Sequence, residues 1–245
     1  MASNFRNLRA WEYLAMSHPN LKGWWRLEND ALDSSGNGNH GTYYGTNTYA
    51  GGVFGRCYSS NDLTRVIVLP ASASLNFTGA MTSSAWIRRT ADSAYQKGLV
   101  DKWQHGGAGT PPMRQHMTGI LGNAPGGGRT PYATYFFVSS DGKLYAQGMY
   151  GPALPINTWM HVVGTYQPST AVRLYINGEL YASLTAGVYP ALYSTTNSVY
   201  LGQYQTGSNE RLRGQIDDVR LFNCALDAND VRRAYLGMQP TRVYT

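Results

Sequence analysis

Carboxylates can support hydrolysis only when they are held close together, and most carboxylates of this sequence are scattered. Cleavage of a glycosidic bond, for example, needs two of them, roughly 5 Å apart in enzymes that retain configuration. The chain has four glutamates, Glu12, Glu28, Glu179 and Glu210. The densest acidic segment, residues 28–33 (ENDALD), runs into a glycine-rich stretch. Such a stretch favours an irregular loop, so we do not expect it to hold two carboxylates on a rigid face.

Histidine chemistry is equally dispersed. The five histidines, which show no spacing typical of metal ligands, are His18, His40, His105, His116 and His161. His161 lies inside an apolar segment, where a hydrogen-bonded structural role is more common than catalysis. The sequence also lacks the motifs of serine hydrolases, zinc proteases and phosphate-binding loops. These observations predict a protein that is not an enzyme.

Side chains suited to sugar recognition are more numerous. A sugar ring has an apolar face and many hydroxyls, so its binders combine an aromatic surface with polar side chains. In β-sandwiches such groups collect on loops at one rim. The candidates are Tyr43, Tyr44, Trp103, Gln104, His105, Tyr204 with Gln205, Asn209 and Arg211. The alternative is that these aromatics pack under loops or against a neighbouring subunit, because tyrosine is common at protein interfaces too.

The elements that position these candidates are predicted to be β-strands. The chain has 19 tyrosines, 28 glycines and 11 prolines, a composition typical of short strands joined by turns. Strands are predicted over residues 23–28, 64–69, 80–88, 97–103, 132–139, 143–149, 159–166, 171–178, 179–184, 198–204 and 213–222. Tight hairpins are predicted at Asn177-Gly178 and Asp141-Gly142, because such pairs allow the positive φ of type I′ turns. Strands in this number predict a two-sheet sandwich.

Short helices are predicted near both ends. Residues 4–16 follow an amphipathic helical pattern, and Pro19 ends it. Near the other end, Asp227 is the expected N-cap of a helix of about two turns that Gly237 closes. We therefore expect a helical segment over residues 1–20 and one β-domain over 21–245. The longest stretch without a predicted strand is 104–131, and a loop of that length is usually functional or mobile.

Charge, cysteine content and the N-terminus limit the choice of partners. The formal charge of +6 suits an acidic partner, but only 14% of residues are charged and they are scattered. We therefore expect no specific nucleic-acid binding. Cys57 and Cys224 are expected to be buried free thiols, although a long-range disulfide stays open. Arg6, Arg9 and Glu12 interrupt the first residues, and no apolar stretch has transmembrane length, so neither a signal peptide nor a membrane span is expected.

Three segments in this order resemble the laminin-G-like jelly-roll family, which shares its fold with concanavalin-A-like lectins. They are GWWRLENDALDSSGNGNHGTYYG, WMHVVGTYQPSTAVRLYINGEL and RGQIDDVRLFNCALDANDVRRAY, and they bracket nearly the whole chain. The resemblance implies an all-β, two-sheet antiparallel jelly-roll sandwich. Catalytic members carry Glu-x-Asp-x-x-Glu on a strand, and residues 28–33 match that motif only in part.

The resemblance also implies one structural Ca²⁺, where the opening loop meets the last strand. Asp33, the carbonyls near Gly36 and Asp217 occupy the matching places. The alternative is that Asp33 caps its own loop and Asp217 pairs with an arginine.

A helical segment that leads into a Trp-Arg-Leu strand is similar to bacteriophage virion proteins that carry this domain. The expected function is a non-catalytic binding or structural protein on the virion surface, as a capsid decoration or tail component made in the cytoplasm. Its partners would be glycans or a cell surface, other virion proteins, or copies of itself. The alternatives are a cellular carbohydrate-binding lectin and an atypical glycoside hydrolase.

Overall fold

The computed structural model describes residues 18–46, 48–60, 65–95, 97–104, 113–143, 147–203 and 210–238. Within these ranges, fifteen strands form two antiparallel sheets, which confirms the predicted sandwich. The strands are β1 (Leu21–Trp25), β2 (Thr42–Tyr44), β3 (Tyr49–Gly51), β4 (Arg56–Ser60), β5 (Val66–Leu69), β6 (Met81–Arg89), β7 (Lys97–Gln104), β8 (Met113–Ile120), β9 (Ala133–Val138), β10 (Gln147–Ala153), β11 (Met160–Gln167), β12 (Ala171–Ile176), β13 (Glu179–Leu184), β14 (Val199–Leu201) and β15 (Gly214–Phe222). A 3₁₀ turn at Ala73–Leu75 and one helix, α1 (Ala228–Tyr235), complete these ranges.

The two sheets have different strand orders. Sheet A runs β13-β12-β11-β6-β15-β4-β3, and β1 also pairs with β15. Sheet B runs β10-β9-β8-β7-β14-β5-β2. About half of the neighbouring strands in the sheets are distant in sequence, as in a jelly roll. The first strand and the last strand lie side by side in sheet A.

The core lies between the sheets. Because side chains alternate along a strand, every second residue turns inward. Ile87 and Val162 from sheet A meet Phe136 and Leu201 from sheet B, and all four are completely buried. The opposite faces of the sheets, here called the outer faces, therefore carry the intervening residues.

The predicted hairpin at Asn177-Gly178 is confirmed. Both residues have positive φ, 52° and 83°, and Ile176 pairs with Glu179 directly across the turn. The tight turn predicted at Asp141-Gly142 is wrong, because Val138 pairs with Gln147, a register that does not centre the turn on these two residues. Only Gly142 of that pair has positive φ.

Helix α1 matches its sequence prediction. The Asp227 side chain accepts a hydrogen bond from the Asp230 amide at 3.0 Å, and Gly237 follows the helix with φ of +76°. The helix predicted over residues 4–16 lies outside the described residues. Cys57 and Cys224 are buried and free, as predicted. Among the described residues, no helix is long and apolar enough to cross a membrane.

One prediction about connectivity is wrong. The stretch 104–131 contains strand β8, which lies between β7 and β9 in sheet B. Three short strands, β2, β3 and β4, also lie where no strand was predicted. They are edge or near-edge strands of three to five residues, too short to show a clear alternation.

Candidate functional site

The outer face of sheet A is covered by the chain itself. Trp86 stacks on Tyr235 of α1, with ring centroids 5.3 Å apart and an angle of 23° between ring planes. Phe54, from the turn between β3 and β4, meets the same indole edge-on at 6.0 Å. His161 lies beside Trp86 at 5.1 Å, fully buried, and its Nε2 is 2.9 Å from the Ser84 hydroxyl. This face therefore offers no large accessible surface at its centre.

A buried ion pair helps to hold the covering layer, which consists of Phe54 and α1, against sheet A. Arg220 Nη2 lies 2.7 Å from Asp218 Oδ2, and the Trp24 indole N–H donates to Asp218 Oδ1 at 2.6 Å. Arg220 also donates to the Met238 carbonyl at 2.9 Å, beyond the end of α1. Asp218 has φ of +48°, and the register with β6 shifts there, which marks a β-bulge. The Asp-Asp pair of the closing strand thus has a structural role in these contacts.

Asp217 faces the turn between β3 and β4. Its Oδ2 accepts hydrogen bonds from the amides of Val53 at 2.6 Å and Phe54 at 3.0 Å, whereas its Oδ1 has no partner among the described residues. Burial raises the pKa of Asp217 from 3.8 to about 7, and the nearby carboxylates of Asp218 and Glu28 add to the rise, although the two amides oppose it. The predicted alternative, a pairing of Asp217 with an arginine, is wrong, since the arginine pairs with Asp218.

We expect Asp217→Asn to remove the pH dependence of the free energy of unfolding that the Asp217 carboxyl causes. Because the folded-state pKa is raised, the unfolded chain loses its proton first, and the free energy of unfolding falls as pH rises from about 4 to about 7. The asparagine oxygen can still accept the two amide hydrogen bonds. Relative to wild type, the variant should gain stability on the order of 2 to 4 kcal/mol between pH 4 and pH 8.

Urea unfolding at both pH values measures this gain, and the exposed Asp141→Asn serves as the control. An Asp217→Asn variant whose stability relative to wild type is the same at pH 4 and pH 8 would contradict the expectation.

Asp33 organises the loop that follows β1. Its two carboxylate oxygens accept hydrogen bonds from the amides of Trp24, Ser35 and Asn39, each at 2.9 Å. Gly36, exposed and with φ of +87°, forms the turn beyond it. Asp33 thus caps its own loop, which was the alternative to calcium binding. Among the described residues, no group of three or more acidic, histidine or cysteine side chains is placed to hold a metal ion. The predicted calcium ion, which would also take carbonyl oxygens, stays a prediction.

The outer face of sheet B carries a row of side chains across four strands. Phe137 pairs with Met117, Met117 with Asp101, and Asp101 with Tyr200. Asp101 is fully buried, whereas Phe137 and Tyr200 on either side of it are half-buried. Apolar and aromatic groups are therefore accessible on this face.

An aromatic cluster, here called the aromatic platform, occupies the β9–β10 end of this face. It consists of Tyr135, Phe137 and Tyr150, with ring centroids 5.1 to 6.4 Å apart. Tyr150 is 38% exposed, and the guanidinium of the exposed Arg129 lies 5.2 Å from its ring centroid. Tyr135 is buried and donates from its hydroxyl to the Lys97 carbonyl at 3.2 Å, so the platform has a fixed base.

Five of the predicted ligand-binding residues lie at described positions on or beside sheet B, and four of them do not turn into the core. Trp103 is buried on the outer face, 5.4 Å from the Arg114 guanidinium, and Gln104 ends the same strand. Tyr44 lies on the edge strand β2 and is 57% exposed. Arg211 donates to the Gln203 side chain at 2.7 Å, next to β14.

The structure does not bring the remaining candidates to this face. Tyr43 turns inward and packs against the core, with its hydroxyl on that of Tyr49. His105, Tyr204, Gln205 and Asn209 lie outside the described residues. The platform itself was missed, because the run of aromatics in 135–137 gives no sign of which residues turn outward. The strand predicted over residues 132–139 was the available signal, because alternation places Tyr135 and Phe137 on the same face, whichever face that is.

Comparison with known proteins agrees with this architecture. The profile of the concanavalin A-like lectin/glucanases superfamily matches residues 61–232. The chain belongs to this superfamily. No curated protein matches the chain.

Several solved structures share the fold of this superfamily member. Domain 4 of AbnA, a GH43 extracellular arabinanase from Geobacillus stearothermophilus solved with arabinotriose, is 22% identical with a TM-score of 0.64, over 87% of this chain and 97% of that one. The binding domain of Paraclostridial Mosquitocidal Protein 1 is 16% identical with a TM-score of 0.69, over 88% and 52%.

A structure of botulinum neurotoxin type C, whose cell entry depends on two ganglioside molecules, is 15% identical with a TM-score of 0.66, over 96% and 53%. The chain spans about half the length of these two toxin structures. At this level of identity the similarity shows the fold.

Proposed function

We propose that this protein is a non-catalytic carbohydrate-binding module whose aromatic platform receives the apolar face of a sugar ring. The observation that carries the proposal is the exposed Tyr150 ring beside Phe137, with Arg129 over it. Aromatic rings contact the C–H faces of sugars, and a guanidinium supplies donors for the hydroxyls around them. Because Tyr135 is hydrogen-bonded beneath, the surface is formed before the ligand arrives.

The comparisons support this proposal in general terms. The arabinanase domain was solved with a bound oligosaccharide, and the type C neurotoxin interacts with gangliosides. Both are proteins of the same fold that engage carbohydrate. At 22% and 15% identity, these two structures share the fold with this chain, and the proposed sugar contacts are argued from its own residues.

The acidic segment after β1 supports a role without catalysis. Leu27 and Asn29 have positive φ, 61° and 143°, so the chain leaves the strand there. The Glu28 carboxylate accepts the Arg56 amide at 3.0 Å. These residues therefore do not extend a regular strand face of the kind that the catalytic motif of the superfamily requires.

We further propose that the protein is displayed on a bacteriophage particle, as a capsid decoration or tail component. This proposal rests on the sequence resemblance described above. A single shallow aromatic surface binds weakly, and repeated copies on a particle would convert that weak affinity into avidity. Copurification of the protein with particles tests this step separately from sugar binding.

The first experiment measures glycan-array binding of the purified chain, with calcium and with chelator. We expect binding that Tyr150→Ala and Phe137→Ala each weaken about tenfold or more, because loss of an aromatic contact removes both burial and ring-specific attraction. Tyr181→Ala is the matched control, since Tyr181 is 53% exposed on strand β13 of sheet A.

Equal binding by all three variants and the wild type would mean that the sugar does not bind at the platform. Binding abolished by chelator would instead favour the predicted calcium ion, and release of reducing sugar would favour an enzyme.

A further inference from the structure

A cavity lies at one end of the sandwich, away from the aromatic platform. This rim cleft, of about 340 Å³, opens between β1, the loop after it and the segment that leads into β6. Lys22, Asn37, Thr78, Gly79 and Asn223 line it, together with residues of the 3₁₀ turn. Its volume is at the lower end of the range for small-molecule sites, about 300 to 1,000 Å³.

Several polar groups of the rim cleft have donors or acceptors that make no hydrogen bond with the described residues. Asn223 accepts from Asn20 through Oδ1, and Asn37 donates through Nδ2 to the Leu21 carbonyl. Among the described residues, the Asn223 Nδ2, the Asn37 Oδ1 and the Thr78 hydroxyl make no hydrogen bond. The Lys22 ammonium makes one, to the Pro19 carbonyl at 2.8 Å, and can donate two more. Donors and acceptors thus converge on one small volume, as the hydroxyls of a sugar require.

The charge on the described lining of the cleft is positive. Of the lining residues that the structure describes, Lys22 is the charged one, and none is acidic. A second cation lies behind the wall, where the buried Lys102 donates to the Leu75 carbonyl at 3.0 Å. The Lys22 ammonium on this wall favours an anionic ligand.

We propose that the rim cleft binds an acidic sugar, with the sugar carboxylate at Lys22 and its hydroxyls at Asn37, Thr78 and Asn223. The site is separate from the aromatic platform and does not depend on it. A protein with both sites would select acidic glycans through the cleft and bind adjoining neutral sugar units at the aromatic platform.

Gly79 allows a direct test, because the cleft can be filled from that position. A Cβ added to Gly79 has no atom within 4 Å, and the backbone there is not in the left-handed region. Because Gly79 lines the cleft, we expect a phenyl ring there to reduce the volume of the cleft without straining the backbone. Gly51, on the edge strand β3, has the same open surroundings and ordinary backbone, so Gly51→Phe is the matched control.

The experiment measures binding of N-acetylneuraminic acid, glucuronic acid and glucose by ligand-observed NMR. We expect the acids to bind more tightly than glucose, Gly79→Phe to weaken them at least tenfold, and Lys22→Gln to remove the preference for acids. Gly51→Phe and Tyr150→Ala should leave acid binding unchanged.

Acid binding unaffected by Gly79→Phe would overturn the rim-cleft proposal, and its loss in Tyr150→Ala would assign these sugars to the platform instead. Sulfate that competes fully with the acids, with no contribution from the sugar hydroxyls, would make the cleft a simple anion site and overturn the sugar assignment.

Discussion

Replacement of Arg220 by methionine is expected to lower the free energy of unfolding by about 3 to 5 kcal/mol. Arg220 and Asp218 are almost completely buried, with side-chain exposures of 2% and 6%. Methionine fills much of the same volume but leaves the Asp218 carboxylate without its cation, with the Trp24 indole N–H as its remaining donor of the network. The variant also loses the hydrogen bond to the Met238 carbonyl. For a domain of this size, the change lowers Tm by roughly 10 °C.

Two further variants separate the buried charge from simple loss of packing. Asp218→Asn added to Arg220→Met removes the unpaired carboxylate, so we expect the double variant to regain part of the lost stability. Arg232 pairs with Glu179 at the surface, where the side chains are 49% and 75% exposed. Arg232→Met should cost less than about 1 kcal/mol.

Urea denaturation of the four proteins, wild type included, checks both statements. A cost for Arg220→Met no larger than that for Arg232→Met would mean that the buried pair does not fasten the covering layer of sheet A.

Local signals in the sequence predicted much of the fold. The Asn177-Gly178 turn and the Asp227 cap of α1 each depend on a few adjacent residues, and both are confirmed. The long strands β6, β11 and β15 overlap the strands predicted over residues 80–88, 159–166 and 213–222.

Features that depend on tertiary contacts could not be predicted in the same way. Strand β8 contains Arg114, Gln115 and His116, all buried, and such residues do not show an apolar alternation. The bulge at Asp218 needs positive φ, and the contacts that hold the Asp218 side chain there come from Trp24 and Arg220, which are brought to it by the fold.

The candidate sites illustrate the same limit. Sequence reasoning selected aromatics next to polar residues in predicted loops, and Trp103 turned out to be buried. Tyr135, Phe137 and Tyr150 come together because β9 pairs with β10 in one register. The rim cleft likewise combines residues from positions 22 to 223, which only the packing of the first and last strands makes neighbours.

Gly119 connects the packing of sheet B to the proposed binding surface. It lies on β8 directly opposite Tyr135, and the tyrosine ring occupies the space where a side chain would stand. A Cβ at this position would be 2.1 Å from the Tyr135 hydroxyl and 2.4 Å from the Lys97 carbonyl oxygen, the acceptor of that hydroxyl. Because one of these atoms belongs to the backbone, the strain cannot be relieved by a side-chain rotation alone.

We therefore expect Gly119→Ala to lower the free energy of unfolding by about 1 to 3 kcal/mol and to displace Tyr135 from under Phe137 and Tyr150. Sugar binding at the platform should fall with it, while acid binding at the rim cleft persists. Urea unfolding, near-ultraviolet circular dichroism and the glycan assay measure the three effects. Gly126→Ala is the control, because a Cβ there meets no atom within 4 Å. If Gly119→Ala kept full stability but lost sugar binding, the ligand would contact β8 itself; if it kept both, the Tyr135 ring would not be the fixed base of the platform.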